Sequence, residues 1–264
     1  MTDKIKGYLI RVLFAVCLGA LLLLELLRGW LSLDENVYLL LSRVIGGFSC
    51  ILFMIEFSIT KILYPLGNKK IFMLLLALPG FIIAVNNFPF ISYFAGDCRI
   101  EQGIGNILFY ALICLGVGFF EEMAFRGCVF MLFLKKRTES KLRIFLAIVW
   151  SSVVFGVIHL VNIFFGSSPV AVFLQIGYST LIGALCSVVL LLTGNIWVCV
   201  LLHSLYNFCG GIISGYGSGV QWTGGEIAFT AIISVIVAVY FVVLFFKMPV
   251  SLAKDLFPQN KDKK

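Results

Sequence analysis

Long apolar stretches, separated by short polar or basic segments, make up almost the whole chain. Each stretch is close to the ~20 residues that an α-helix needs to cross the hydrocarbon core of a bilayer. The pattern predicts eight membrane-spanning helices, over residues 7–27, 37–60, 71–87, 104–134, 144–164, 170–192, 196–213 and 227–246. We therefore expect an all-α, polytopic membrane bundle. It would form one transmembrane domain over residues 1–246, followed by a short cytosolic tail over 247–264.

The composition excludes a soluble domain of any size. Hydrophobic residues make up 61% of the chain and charged residues only 12%, whereas soluble domains have about 45–50% and about 25%. The net charge of +7 is concentrated in the segments that flank alternate spans, chiefly 61–70, 135–143 and 247–264. This is the positive-inside pattern, and eight crossings then place both termini in the cytosol. The basic charge thus indicates topology, and we expect the lipid bilayer rather than a nucleic acid as partner.

One predicted span, 104–134, contains two adjacent carboxylates and an arginine: Glu121, Glu122 and Arg126. A charged group at the centre of a membrane helix costs about 2.5–3.5 kcal/mol on the insertion scale, so these side chains should face a protein interior. Glu122 and Arg126 are four residues apart and predict an ion pair on one helix face. Glu121 points about 100° away and needs another partner. This motif is compatible with a structural charge network as well as with a catalytic site.

The candidate partners are few, because the chain contains two histidines. His159 lies in the fifth predicted span, and His203 lies in the seventh with Asn207 on the same helix face. A rise of 1.5 Å per residue brings Glu121, His159, His203 and Asn207 within about 12 Å of each other along the membrane normal. A carboxylate beside a neutral imidazole can take a proton from water, and an amide with a second imidazole can stabilise an oxyanion. The set fits hydrolysis of an amide bond by activated water.

Three short motifs occur in order on separate helices: Glu121-Glu122-x-x-x-Arg126, Phe155-x-x-x-His159 and His203-x-x-x-Asn207. Together they resemble the CPBP family of intramembrane proteases, which comprises the CAAX-processing Rce1-type enzymes and the bacterial Abi or bacteriocin-processing proteins. The resemblance extends from about residue 115 to residue 210, within the motif-bearing core 104–213.

The resemblance implies a role for each of these side chains. Glu121 and His159 would activate the attacking water, His203 and Asn207 would stabilise the oxyanion, and Glu122 and Arg126 would support the site. The substrate would be a membrane-associated peptide or protein, and no cofactor or metal would be required. The small size is more typical of a bacterial member, located in the plasma membrane.

Three alternatives remain at this stage. His159, His203 and Glu121 or Glu122 could bind zinc in a metalloprotease, because two histidines and a glutamate form a known catalytic zinc site. The protein could instead be a non-proteolytic scaffold or immunity protein that regulates a partner in the membrane. A proton-coupled transporter is disfavoured, because the sequence has no internal repeat of the kind that many transporters show.

Overall fold

The computed structural model describes residues 3–27, 34–65 and 68–258, and these form a helical bundle. The helices are α1 (Asp3–Leu27), α2 (Glu35–Glu56), α3 (Asn68–Asn86), α4 (Phe90–Ala95), α5 (Ile104–Glu122), α6 (Met131–Leu134), α7 (Lys141–Val157), α8 (Val161–Phe164), α9 (Pro169–Thr193), α10 (Ile196–Tyr216), α11 (Gly224–Lys247) and α12 (Ser251–Lys254). A π-helix, Met123–Phe130, joins α5 to α6, and 3₁₀-helices cover Thr60–Leu63 and Ile158–Leu160. Two short strands, β1 (Cys98–Ile100) and β2 (Gly217–Gly219), pair in antiparallel fashion.

The expected polytopic membrane bundle is confirmed. Six helical segments in the described part of the chain are long and apolar enough to cross a bilayer. They are Glu35–Glu56, Ile104–Leu134, Lys141–Phe164, Pro169–Thr193, Ile196–Tyr216 and Gly224–Lys247. Tyr8–Leu24 and Phe72–Asn86 are shorter apolar helical segments at the positions of the other two predicted spans. The predicted span 104–134 agrees with the observed helix at both ends.

Polar side chains cap the amino-terminal ends of several spans. An oxygen acceptor just before a helix satisfies one of the backbone N–H groups that have no partner within the helix. The capping residues are Asp34, Ser140, Ser168, Asn195 and Thr223. Asn195 caps α10, and only Gly194 and Asn195 separate it from the end of α9.

The core of the bundle lies around α9 and α10. Most residues from Ile182 to Thr193 are buried, whereas α11 exposes much of its apolar surface on the outside of the bundle. The predicted tail also contributes to the core, because Ala253 and Leu256 are buried against it. Residues 259–264 of the tail, and the basic residue Arg28 between the first two predicted spans, lie outside the described residues.

The segments that follow α3 and α10 pair with each other at one end of the bundle. Cys98 of β1 lies opposite Gly219 of β2. The fully buried Glu226 of α11 accepts hydrogen bonds from the backbone N–H groups of Ile91 (2.7 Å) and Ser92 (3.1 Å), in the first turn of α4. These contacts fix the two segments over the ends of α3, α10 and α11.

Helices α5 and α10 approach closely next to the polar motif because Gly118 has no side chain. A Cβ atom at Gly118 would lie 3.1 Å from the carbonyl oxygen of Val200 and 3.1 Å from the backbone nitrogen of Ser204. Both are backbone atoms of α10, so a side chain here would push the helices apart. Small residues at such crossings are a common feature of membrane helix packing.

We therefore expect Gly118→Ala to lower the free energy of unfolding by about 1–3 kcal/mol, the usual cost of overpacking. Thermal unfolding in detergent would measure the change. Gly105→Ala is the matched control on the same helix, because a Cβ there meets nothing within 4 Å. Equal transition temperatures for the two variants would contradict the close approach at Gly118.

Candidate active site

The two adjacent glutamates are the last residues of α5, and Arg126 lies in the π-helix that follows. The ion pair predicted from the four-residue spacing is present, with 3.0 Å between Glu122 Oε1 and Arg126 Nη1. Glu122 is fully buried and Arg126 is 2% exposed. The contact is ionic and lacks hydrogen-bond alignment, since neither Nη1 nor Nη2 has a hydrogen-bond partner among the described residues. The guanidinium also lies over the ring of Phe155, with Cζ 4.5 Å from the ring centroid.

His203 of α10 lies between the two carboxylates. Its Nδ1 is 2.6 Å from Glu122 Oε1, and its Nε2 is 3.5 Å from Glu121 Oε2. The imidazole is buried, while the side chain of Glu121 is 18% exposed. Glu122 therefore contacts both Arg126 and His203. Glu121 is the partly exposed carboxylate at the edge of this network.

His159 lies just beyond the end of α7, in the 3₁₀ turn Ile158–Leu160. Its Nδ1 is 2.9 Å from the carbonyl oxygen of Phe155 and 3.3 Å from that of Gly156. A carbonyl oxygen only accepts hydrogen bonds, so Nδ1 carries the hydrogen in the neutral ring. The lone pair is then on Nε2, where it can accept a proton.

Asn207 follows His203 by one turn of α10. Two side chains from other parts of the chain donate hydrogen bonds to backbone carbonyls of this turn. Asn87 Nδ2 donates to the carbonyl of Tyr206 (2.9 Å), and the Tyr110 hydroxyl donates to the carbonyl of Asn207 (3.3 Å). A Cβ at Gly210 or Gly211 would occupy the space of these two side chains. The glycines thus leave room for Asn87, just after α3, and Tyr110 of α5 to fix the part of α10 that carries Asn207.

The structure brings the four predicted catalytic residues to one cavity of about 130 Å³. Glu121, His159, His203 and Asn207 all line it, on three separate membrane helices. Glu122 and Arg126 do not line the cavity and lie behind His203. Because a water molecule needs about 10–15 Å³ of such space, the cavity has room for several. Its mixture of acidic, imidazole and amide groups can bind water and polarise a carbonyl.

Several lining residues were missed by sequence reasoning, notably Gln175, Tyr178 and Tyr206. Gln175 accepts a hydrogen bond from Asn162 Nδ2 (2.8 Å), which links the segment after His159 to α9. Polar side chains inside predicted spans are the signal that could have identified these residues.

A second, apolar cavity of about 270 Å³ adjoins the polar one. The two share Tyr178, Ile182 and Tyr206, and the two tyrosine rings have centroids 6.2 Å apart. The rest of the apolar cavity is lined mainly by side chains of α7, α9 and α11. The two cavities are therefore neighbours, and the three shared side chains lie between them.

In the described part of the chain, no three His, Cys, Asp or Glu side chains are arranged so that they could hold a metal ion. Both ring nitrogens of His203 face carboxylates instead. The zinc set of His159, His203 and a glutamate therefore lacks a converging arrangement.

Comparison with known proteins agrees with the motif analysis. The model of a family described as type II CAAX prenyl endopeptidase Rce1-like matches residues 103–209, which are 107 of the 264 residues. Neither the curated proteins nor the solved structures gave a match. The matched segment contains Glu121, Glu122, Arg126, His159, His203 and Asn207. Residues 103–209 of this membrane protein are therefore similar to the Rce1-like family, which is a family of proteases.

Proposed function

We propose that the protein is an intramembrane endopeptidase that hydrolyses a peptide bond of a membrane-associated peptide or protein. The observation that carries the proposal is the single cavity lined by Glu121, His159, His203 and Asn207, with apolar space beside it. Acid, base and donor groups thus line one space that can hold a water and a carbonyl.

Glu121 and His159 are proposed to activate the water. The lone pair of His159 Nε2 can orient the water by accepting a hydrogen bond, since Nδ1 is engaged by backbone carbonyls. Glu121 takes the proton as the water oxygen bonds to the carbonyl carbon. The same carboxyl group then returns a proton to the leaving amine when the C–N bond breaks. A positioned general base of this kind contributes roughly 10²–10⁴ to a rate.

His203 and Asn207 are proposed to stabilise the oxyanion. His203 Nδ1 contacts the Glu122 carboxylate, so Nε2, on the side of Glu121 and the cavity, would be the ring nitrogen that donates to the oxyanion. The side-chain amide of Asn207 supplies a second donor. Removal of one such donor typically costs a factor of 10²–10³ in rate.

Glu122 and Arg126 are proposed to hold His203 in place without contacting the substrate. Glu122 Oε1 contacts the imidazole and the guanidinium at once, and all three groups are buried. An orienting carboxylate behind a histidine fixes both its hydrogen positions and its ring plane.

The apolar cavity supports a substrate that reaches the site from the membrane. Its wall of Tyr178, Ile182 and Tyr206 separates apolar space from the hydrolytic cavity, so a chain that passes this wall would present its peptide bond to Glu121. The distribution of basic residues supports cytosolic termini, and a bacterial plasma membrane remains part of this proposal.

The test compares membrane and secreted peptides from cells that express the wild type or Glu121→Gln at matched levels. A peptide or protein terminus that occurs only with the wild type would establish proteolysis and identify the substrate. Identical termini in both strains would reject the proposal. If a phenotype were also rescued equally by both forms, a scaffold or immunity role built on the buried Glu122–Arg126–His203 network would replace it.

We further expect activity without a bound metal. Exhaustive chelation should leave the rate of the purified enzyme unchanged within a factor of about two, because the candidate ligands do not converge and metal-assisted water activation is not needed. Metal analysis of the purified protein should find no stoichiometric zinc. Loss of activity on chelation, with recovery on adding zinc, would instead favour a zinc protease that uses the same residues.

A further inference from the structure

A basic pocket of about 550 Å³ lies where three membrane-spanning helices end on the same side of the bundle. Phe57 follows the end of α2, and Arg143 lies in the first turn of α7. The remaining lining residues are Leu132, Phe133, Lys135, Lys136 and Arg137, at the end of α6 and just after it. None of them lines the catalytic or the apolar cavity, so this is a separate site.

Positive charge exceeds negative charge in this pocket. Lys135 donates to the carbonyl of Phe57 (3.1 Å) and Arg137 to that of Phe133 (2.9 Å), so both side chains lie along helix ends. Arg143 pairs with the exposed Glu139 at 2.9 Å, and Lys136 is exposed. Glu56, next to Phe57, is the other nearby carboxylate in sequence. Four cations against two carboxylates leave the pocket with a net positive charge.

The same pocket has apolar walls. Phe57 is 41% exposed and Leu132 is 39% exposed, although both lie beside the cations. Because the pocket is at the level where three spans end, we expect its cations at headgroup depth and its apolar side chains next to the acyl chains. A free phosphate ion would use only the cations, whereas a phospholipid would use both surfaces.

We propose that this basic pocket binds an anionic phospholipid. The headgroup phosphate would contact Lys136, Arg137 and Arg143, and an acyl chain would lie against Phe57 and Leu132. Basic pockets between membrane helices bind lipid headgroups through this combination of charge and apolar contact. The site would anchor the segment between α6 and α7, which connects the helices that carry Glu121 and His159.

The test titrates the purified wild type with dioleoylphosphatidylglycerol or dioleoylphosphatidylcholine in detergent and counts bound lipids by native mass spectrometry. The variant Lys136→Gln/Arg137→Gln should bind phosphatidylglycerol roughly 10- to 30-fold more weakly, since each cation near a headgroup contributes about one kcal/mol. Lys136→Gln alone, at an exposed position, should weaken binding about 5-fold. This single variant keeps the test valid if the double variant is poorly folded. Lys247→Gln/Lys254→Gln is the matched control, because it removes the same charge from exposed lysines outside the pocket.

Selective weakening in the pocket variants, with phosphatidylglycerol preferred over phosphatidylcholine, would support the proposal. Equal weakening in the control would overturn it and indicate only general attraction to a basic surface. Inorganic phosphate at constant ionic strength should not displace the lipid. Displacement by inorganic phosphate would also overturn the proposal, in favour of a simple anion site.

Discussion

Glu121→Gln is expected to lower the rate of peptide-bond hydrolysis by about 10²- to 10⁴-fold and to leave the protein folded. The rate falls because the amide cannot take a proton from the water. The fold is spared because glutamine has the same shape and because Glu121 is at the edge of the buried network. Its side chain is 18% exposed, and its contact with His203 Nε2 is long, at 3.5 Å. Turnover of the identified substrate in liposomes, together with thermal unfolding of the same preparations, would measure both effects.

Glu139→Gln provides the control for Glu121→Gln. Glu139 is an exposed carboxylate outside both the polar and the apolar cavities, and it is paired with Arg143 on the surface. This variant should keep both the rate and the transition temperature of the wild type. A Glu121→Gln enzyme that retains more than about a tenth of the wild-type rate would contradict the role of Glu121 as the base.

The fold was largely predictable from the sequence because most apolar stretches are long enough to cross a bilayer and are separated by short polar or basic segments. Asn195, for example, marks the turn between α9 and α10 in both the sequence and the structure. The pairing of β1 with β2 was not predictable. Each strand is only three residues long, too short for an alternating pattern to identify it, and β2 is rich in glycine. Because the sequence beyond residue 213 is also rich in glycine, the prediction ended α10 there, whereas the helix extends to Tyr216.

The four residues predicted to be catalytic line one cavity, but the contacts among the polar residues were not predictable from the sequence. Helical periodicity pairs Glu122 with Arg126, since both lie on one helix. The contact of Glu122 with His203 depends on how α5 and α10 pack, and periodicity within one helix contains no information on packing between helices. Nor does the sequence indicate that α5 continues as a π-helix over residues 123–130. Such π segments are frequent at functional sites.

Arg126→Ala is expected to destabilise the protein by about 3–5 kcal/mol, because it leaves the carboxylate of Glu122 buried without its counter-charge. Glu122 is fully buried, and its Oε2 has no hydrogen-bond partner among the described residues. The substitution also removes the guanidinium from the ring of Phe155. Thermal unfolding in detergent and the yield of folded protein would both report the loss, which should exceed that of Glu121→Gln.

A surface ion pair of the same spacing supplies the control for Arg126→Ala. Arg143 and Glu139 are also four residues apart and in contact at 2.9 Å, but their side chains are 56% and 73% exposed. Arg143→Ala should therefore change stability by less than about 0.5 kcal/mol. Adding Glu122→Gln to Arg126→Ala should recover part of the lost stability, because it neutralises the buried charge that Arg126→Ala leaves unpaired. If the double variant were as unstable as the sum of the two single variants, lost packing rather than an unpaired charge would be the cause. The proposal that Glu122 and Arg126 hold His203 through charge would then fail.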